Sequence, residues 1–154
     1  MNRRVVCCVA TLALVCVRTS ALSGEPKPDE NEGAILKEDL RKFQGQWETT
    51  YKIQDRTIRS VQVIRGKKST VTRFDENGAV SDAHTAEFVL AISGRIKVFT
   101  YFNLEVTAGP LKGSRFPERR SFVYRLEDDW FLEAYGLLID QREQPSVLTW
   151  RRIR

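Results

Sequence analysis

From Trp47 onward, the chain consists of short segments in which apolar and polar residues alternate with a period of two. In the first of them, Trp47, Thr49, Tyr51 and Ile53 alternate with polar partners, which is the pattern of a half-buried strand. Including this one, eight or nine such segments occur at hairpin spacing, and no helical pattern separates any two of them. Parallel βαβ units need such helices. The sequence therefore predicts an all-β, antiparallel domain.

The strand segments are joined by turn sequences and preceded by one short helix. Asn77-Gly78 is a pair that accepts the positive φ angles of a tight hairpin. Upstream, Leu36, Leu40 and Phe43 share one face of a helix that we predict over residues 33–43. The apolar face of this helix needs a surface to cover, such as one end of a sheet.

Two architectures accommodate these strands in one domain, an up-and-down barrel and a sandwich. A closed barrel leaves no unpaired strand edge. The sequence after Cys16 contains no cysteine that could staple exposed margins. We therefore expect an eight- to nine-stranded antiparallel barrel with one short N-terminal helix, over residues 33–154.

The N-terminal residues predict export. Arg3 and Arg4 precede an apolar run from Val5 to Val17, which is typical of a secretion signal and shorter than the roughly 20 residues of a membrane-spanning helix. Small residues before the expected cleavage point predict a signal peptide over residues 1–21, with cleavage after Ala21 or after Ser23. Residues 22–32 are polar and include two prolines, so we expect a disordered linker. The predicted location is secreted or periplasmic.

Removal of the signal peptide changes the chemistry of the mature chain. All three cysteines, Cys7, Cys8 and Cys16, lie within it, so disulfide, thiol and cysteine–metal chemistry are not expected. The full chain has 25 basic against 20 acidic residues, and loss of the three arginines of the signal leaves 22 basic residues. This small excess is scattered among acidic residues, so we expect no nucleic-acid binding. No later segment is long and apolar enough to span a membrane, so we also expect that the cleaved chain is not an integral membrane protein.

Two stretches of the chain resemble lipocalin-like proteins. Gly45-Gln46-Trp47 resembles the Gly-x-Trp motif at the head of the first strand in lipocalin-like barrels, where the tryptophan closes one end. The loop Gly109–Gly113 and the hairpin Phe122–Leu132 resemble the Gly-Pro-x-x-Gly loop and the Tyr-x-Leu-x-x-Asp hairpin of a lipocalin-like domain family of unknown function. That family is common in planctomycete bacteria and often follows a signal peptide. The resemblance implies a barrel fold and export, and it assigns no catalytic residue.

Trp47 and the basic C-terminal strand predict how the barrel closes. A tryptophan at the closed end of a barrel can stack beneath an arginine of the last strand in a cation–π contact. Arg152 is our candidate for structural closure, with Arg151 as the alternative if the strand register differs. Trp47 could equally be a core residue without such a partner.

One parity of each strand would line a cavity if the barrel contains one. Counting inward from Trp47 predicts a mostly apolar lining with a few hydroxyl groups. The predicted ligand-binding lining is Thr49, Tyr51, Phe88, Leu90, Val98, Thr100, Phe102, Tyr124 and Leu132. The alternative is that these side chains fill the interior, as they can in small eight-stranded barrels.

No residue pattern indicates catalysis, a metal or a cofactor. His84 is the only histidine; without cysteines it lacks ligand partners of zinc-site type, and we expect it to be solvated at the surface. No Gly-x-Ser-x-Gly sequence presents a serine nucleophile. The carboxylate pairs fall in predicted turns or in the linker, where acidic residues favour the turn backbone. We expect a protein that is not an enzyme.

The sequence thus favours an exported lipocalin-like domain that binds a small apolar or amphipathic ligand in its barrel. The alternative is a structural or protein-interaction module of the cell envelope, with a filled barrel and the basic loop Gly109–Arg120 as its contact surface. A cavity of about 300 Å³ or more would favour the first function.

Overall fold

The computed structural model of the chain describes residues 30–138 and 145–154. The predicted signal peptide, both cleavage positions and linker residues 22–29 lie outside this part. Within it, one helix, α1 (Glu30–Phe43), precedes nine strands. The strands are β1 (Gly45–Ile53), β2 (Arg56–Arg65), β3 (Lys68–Phe74), β4 (Val80–Ser93), β5 (Ile96–Ala108), β6 (Arg115–Phe116), β7 (Arg120–Leu126), β8 (Trp130–Tyr135) and β9 (Ser146–Arg152).

Eight of these strands form a closed antiparallel barrel. β1 to β5 pair in chain order, β5 continues to β7, β7 to β8 and β8 to β9. The circle closes where Trp47 of β1 stands opposite Arg152 of β9. β6 is an additional strand of two residues beside β5. The predicted antiparallel barrel with one short helix is confirmed, and because first and last strands meet, the sandwich is excluded.

The seam between β1 and β9 is the shortest pairing in the barrel wall. Only two residue pairs join these strands, Trp47 with Arg152 and Glu48 with Arg151, whereas six pairs join β8 to β9. Beyond Glu48, β1 remains paired with β2 alone. The wall is therefore continuous near α1 and loosens toward the opposite end.

Helix α1 covers one end of the barrel. It begins at Glu30, so the last three residues of the predicted linker are helical. Phe43 at its C-terminus is fully buried and makes edge-to-face contacts with Phe99, Tyr124 and Phe131 at centroid distances of 5.2–5.6 Å. Such contacts add to the burial of the rings, and they anchor the helix over the end of the barrel.

A buried carboxylate fixes the same helix from its side. Asp39 accepts a hydrogen bond of 2.7 Å from the Tyr124 hydroxyl and pairs with Lys97 Nζ at 2.7 Å. These contacts satisfy a charge that would otherwise be costly to bury. The helix measures 14 residues, and no helix in the described ranges has the length and apolar character needed to cross a membrane.

Candidate functional site

The barrel interior has a packed end beneath α1 and an open end that contains a cavity of about 610 Å³. The packed end is filled by buried aromatic side chains, with Trp47 and Phe131 in edge-to-face contact at 4.9 Å. The cavity begins above this layer and extends to the loop after β5, where Pro110 and Leu111 form part of its lining. Its Phe, Tyr and Trp lining residues are Tyr51, Phe99, Tyr101, Phe116, Phe122, Tyr135 and Trp150.

Five of the nine predicted lining residues face the barrel interior, at different depths. Tyr51 borders the cavity. Phe88 and Tyr124 belong to the buried cluster of the packed end, and Leu90 packs against that cluster. Thr49 is buried as well but does not border the cavity. These side chains therefore supply the floor beneath the cavity more than its walls.

The other four predicted residues lie outside the cavity. They are Val98, Thr100, Phe102 and Leu132. Their neighbours Phe99 on β5 and Phe131 on β8 are buried, and successive side chains of a strand point to opposite faces. Thr100 instead shares a hydrogen bond of 2.8 Å with Ser121, while the Arg119 guanidinium lies over the Phe102 ring. Phe99 and Tyr101 line the cavity in their place.

An ion pair and a histidine lie on one side of the cavity. Arg73 of β3 donates to Asp82 of β4 at 2.7 Å, and both line the cavity beside His84. His84 is half-buried rather than solvated as expected. Burial and the nearby Arg73 guanidinium lower its pKa to about 4, so its imidazole is neutral at pH 7. The alternation of apolar and polar residues did not indicate a strand over Ser81–His84, because its inward side chains, Asp82 and His84, are polar.

A carboxyl group lies on the opposite side of the cavity. Glu133 of β8 is 2% exposed, and its Oε2 accepts a hydrogen bond of 2.7 Å from the Tyr135 hydroxyl. Burial raises the pKa of Glu133 to about 7, although hydrogen bonds from Tyr135 and Trp150 and the charge of Arg73 lower it. Within the described residues Glu133 has no ion-pair partner. Sequence reasoning missed it because a charged residue normally indicates the solvent face of a strand.

Two buried oxygen atoms along the cavity lining have no hydrogen-bond partner. They are Ser60 Oγ and Gln62 Oε1, and both residues line the cavity. Gln62 uses only its amide nitrogen, which donates to Ser69 Oγ at 2.8 Å. Unsatisfied polar atoms are costly in a buried position, so this wall has hydrogen-bonding capacity that the protein itself does not use.

Trp47 and Arg152 form the closed end of the barrel. The Arg152 guanidinium lies 4.0 Å from the Trp47 ring centroid, and it donates to the carbonyl oxygens of Lys42, Gln44 and Asp128. Trp47 Nε1 donates to the Phe43 carbonyl at 2.8 Å. One arginine thus joins the last strand to the end of α1 and to the turn after β7.

The loop between β5 and β7 forms part of the rim of the cavity. Leu111, Phe116, Glu118 and Arg120 from this loop and the start of β7 line its mouth. Leu111 is 60% exposed. The basic loop that the sequence suggested as a separate contact surface therefore belongs to the entrance of the cavity.

The cavity shows no feature of a metal centre, and comparisons do not assign it. Among residues 30–138 and 145–154, no group of three or more histidine, cysteine or acidic side chains is arranged to hold a metal ion. No family model, no curated protein and no solved structure matches the chain.

Proposed function

We propose that this chain is an exported lipocalin-like domain that binds a small amphipathic ligand in the open end of its barrel. The observation that carries this proposal is the cavity of about 610 Å³, which is within the range of about 300–1,000 Å³ of small-molecule sites. Its aromatic walls suit an apolar body, and its few polar groups suit one oriented head group. A completely filled barrel would favour the envelope module instead.

The proposal is for binding without catalysis. Nucleophilic catalysis needs a nucleophile within hydrogen-bond reach of a base. The His84 side chain makes no hydrogen bond to any residue in the described part of the chain. Glu133 contacts a phenol rather than an aliphatic hydroxyl or an amine.

Binding can be tested with N-phenyl-1-naphthylamine, a neutral probe whose fluorescence increases in apolar sites. We expect saturable binding to the wild-type protein. Ala108→Phe should abolish it, because Ala108 lines the cavity and the larger ring would occupy the space. Ala91→Phe is the matched control, since Ala91 is exposed on β4 and outside the lining.

Two results would contradict ligand binding in the barrel. One is a probe signal that does not saturate. The other is equal binding by the Ala108→Phe and Ala91→Phe variants when both unfold as cooperatively as the wild type. Co-purification of an intact protein with an empty barrel would then support the envelope module.

Export requires a separate test. Expression with the native N-terminus should give a mature protein whose N-terminal sequencing begins between Leu22 and Glu25, as expected for signal removal near Ala21. Recovery of Met1 from the exported fraction would contradict a cleaved signal.

A further inference from the structure

We propose that the cavity selects ligands carrying a cationic amine, which pairs with Glu133 on the barrel wall. This inference rests on the proposed function and specifies the class of ligand. It follows from the positions of the buried polar groups, from the charges of the lining and from the aromatic surfaces around them.

The buried polar groups of the lining lie on two parts of the barrel wall. Glu133 is on β8 and Trp150 on the adjacent β9, whereas Ser60 and Gln62 are on β2, three strands from β8. All four residues are at most 4% exposed, and all four line the cavity. A ligand head group that enters the cavity therefore meets one buried carboxyl and, on another part of the wall, two oxygen acceptors.

The charged residues of the described lining include one more carboxyl than arginine. Two arginines and three carboxyl residues among residues 30–138 and 145–154 line the cavity: Arg73, Arg120, Asp82, Glu118 and Glu133. Arg73 is committed to Asp82 at 2.7 Å. Glu133 is the deepest of the carboxyls and has no cationic partner within the described residues. Buried charges are normally paired, so a cation brought by the ligand would complete this wall.

Neighbouring groups suit an ammonium rather than a carboxylate. An ammonium has three hydrogens to donate and accepts none. The cavity lining offers it the Glu133 carboxyl and two oxygens with unused acceptor capacity, Ser60 Oγ and Gln62 Oε1. Phe122 and Tyr135, whose ring centroids are 5.0 Å apart, present aromatic surface to the same cavity. Aromatic faces attract cations, most strongly where water is excluded.

Binding of an amine should depend on pH through Glu133. Eight other charged or titratable residues of the described chain line the cavity with this carboxyl: Tyr51 of β1, Arg73 of β3, Asp82 and His84 of β4, Tyr101 of β5, Glu118 of the loop before β7, Arg120 of β7 and Tyr135 of β8. Between pH 6 and 8, His84 stays neutral because its pKa is about 4, and Arg73 stays charged because its pKa is raised. A primary amine stays protonated over the same range.

The direction of the pH effect follows from linkage. The pKa of Glu133 in the free protein is about 7, and an amine binds the ionised form. Lowering the pH from 8 to 6 should therefore weaken amine binding about tenfold, because the ionised fraction falls by that factor. Binding of a neutral ligand should change much less.

The test uses three probes of nearly equal size on the full mature chain. Phenethylamine is cationic, 2-phenylethanol is neutral and 3-phenylpropanoate is anionic. Their affinities are measured at pH 6 and 8 by displacement of N-phenyl-1-naphthylamine. At pH 8 we expect the amine to bind at least tenfold more tightly than the alcohol, and the acid most weakly.

Two variants identify the carboxyl that is responsible. Glu133→Gln keeps the size and the hydrogen-bonding atoms but loses the charge, so it should remove both the amine preference and its pH dependence. Glu76→Gln makes the same change at an exposed turn residue outside the cavity lining and should keep both. The wild-type pH dependence needs no variant, so the test does not depend on how the substitutions affect folding.

Several outcomes would overturn the inference. Equal affinity for amine and alcohol, preference for the acid, or an amine preference that survives Glu133→Gln would each exclude pairing with Glu133. If N-phenyl-1-naphthylamine binds and none of the three probes displaces it, the assignment of a cationic amine as the ligand is wrong, while the cavity remains a binding site. If no probe binds at all, the proposed function fails as well.

Discussion

Glu133 carries a charge that the folded protein disfavours. In an unfolded chain its carboxyl ionises near the ordinary pKa of 4.5, whereas burial delays ionisation in the folded protein to about 7. The unfolded state therefore holds fewer protons between these values, and stability falls as the pH rises through this window. Below pH 4.5 this cost is absent, and above pH 7 it is complete.

Glu133→Gln should remove this cost. Relative to the wild type, we expect the free energy of unfolding of the variant to rise by about 2–3 kcal/mol between pH 5 and pH 8, the value that a shift of this size implies. Urea unfolding at the two pH values measures it, and contributions from His84 cancel because both proteins contain it. A difference that is the same at both pH values would show that Glu133 is not buried as described.

Gly109 is the position where the loop at the mouth contacts strand β4 most closely. Its φ is +95°, and a Cβ there would lie 2.7 Å from the Ser81 carbonyl oxygen. Gly113 in the same loop has a φ of +90° but no atom within 4 Å of its Cβ position. The two glycines therefore share backbone strain and differ in collision with the neighbouring strand.

Gly109→Ala should destabilise the protein by about 1–3 kcal/mol more than Gly113→Ala, because overpacking adds to the cost of a positive φ. Thermal and urea unfolding of the two variants give the comparison. Equal losses would mean that the loop does not rest on β4, and the mouth of the cavity would then be shaped differently.

At the scale of elements, Arg152 connects three parts of the closed end. It reaches carbonyl oxygens of Lys42 and Gln44 at the end of α1, reaches Asp128 in the turn before β8, and stacks on Trp47. Arg152→Ala should lower the free energy of unfolding by about 2–4 kcal/mol, since it removes several charge-assisted hydrogen bonds and a cation–π contact.

Arg151→Ala is the matched control for this change. Arg151 is exposed, and an exposed substitution away from such contacts usually changes stability by less than about 0.5 kcal/mol. Chemical unfolding of both variants at one pH distinguishes them. Similar effects of the two substitutions would show that the contacts of Arg152 do not stabilise the closed end of the barrel.

The boundaries of most elements were predictable from the sequence, but the inward face of β5 was not. Residues 98–102 read Val-Phe-Thr-Tyr-Phe. Either set of alternate residues gives a plausible apolar face, so the alternation does not show which set points into the barrel. Asn103 then takes a positive φ of 53°, near a register shift between β4 and β5. This irregularity places Leu104 on the cavity side after Phe99 and Tyr101, which strict alternation cannot predict.

The polar part of the candidate site escaped sequence reasoning for a different reason. Polar and charged residue types normally indicate the solvent-facing side of a strand, whereas the barrel places four such residues around its cavity. They are Arg73, Asp82, His84 and Glu133. Local rules of hydrophobic patterning tend to fail where function places polar groups inside. The charged residues that sequence reasoning assigned to the surface are thus those that distinguish this cavity from an ordinary core.

At the scale of the whole molecule, closure was predictable and the cavity was not. Closure was expected because the sequence has many strand segments in one domain and no cysteine after Cys16 that could staple exposed strand edges. The cavity depends on which strands face one another: small residues, including Ser60, Ser69, Ala86 and Ala108, line it together with the large aromatic rings. Space remains where small residues meet in register, and that register comes from contacts distant in sequence.

The central claim, a ligand-sized cavity inside a closed barrel, can be tested by nuclear Overhauser effects from bound N-phenyl-1-naphthylamine. Our account predicts contacts between the probe and the rings of Phe99, Tyr101 and Phe122, which line the cavity. Contacts confined to an outer groove of about 500 Å³, bordered by Lys68, Glu87 and Pro117, would contradict binding in the barrel.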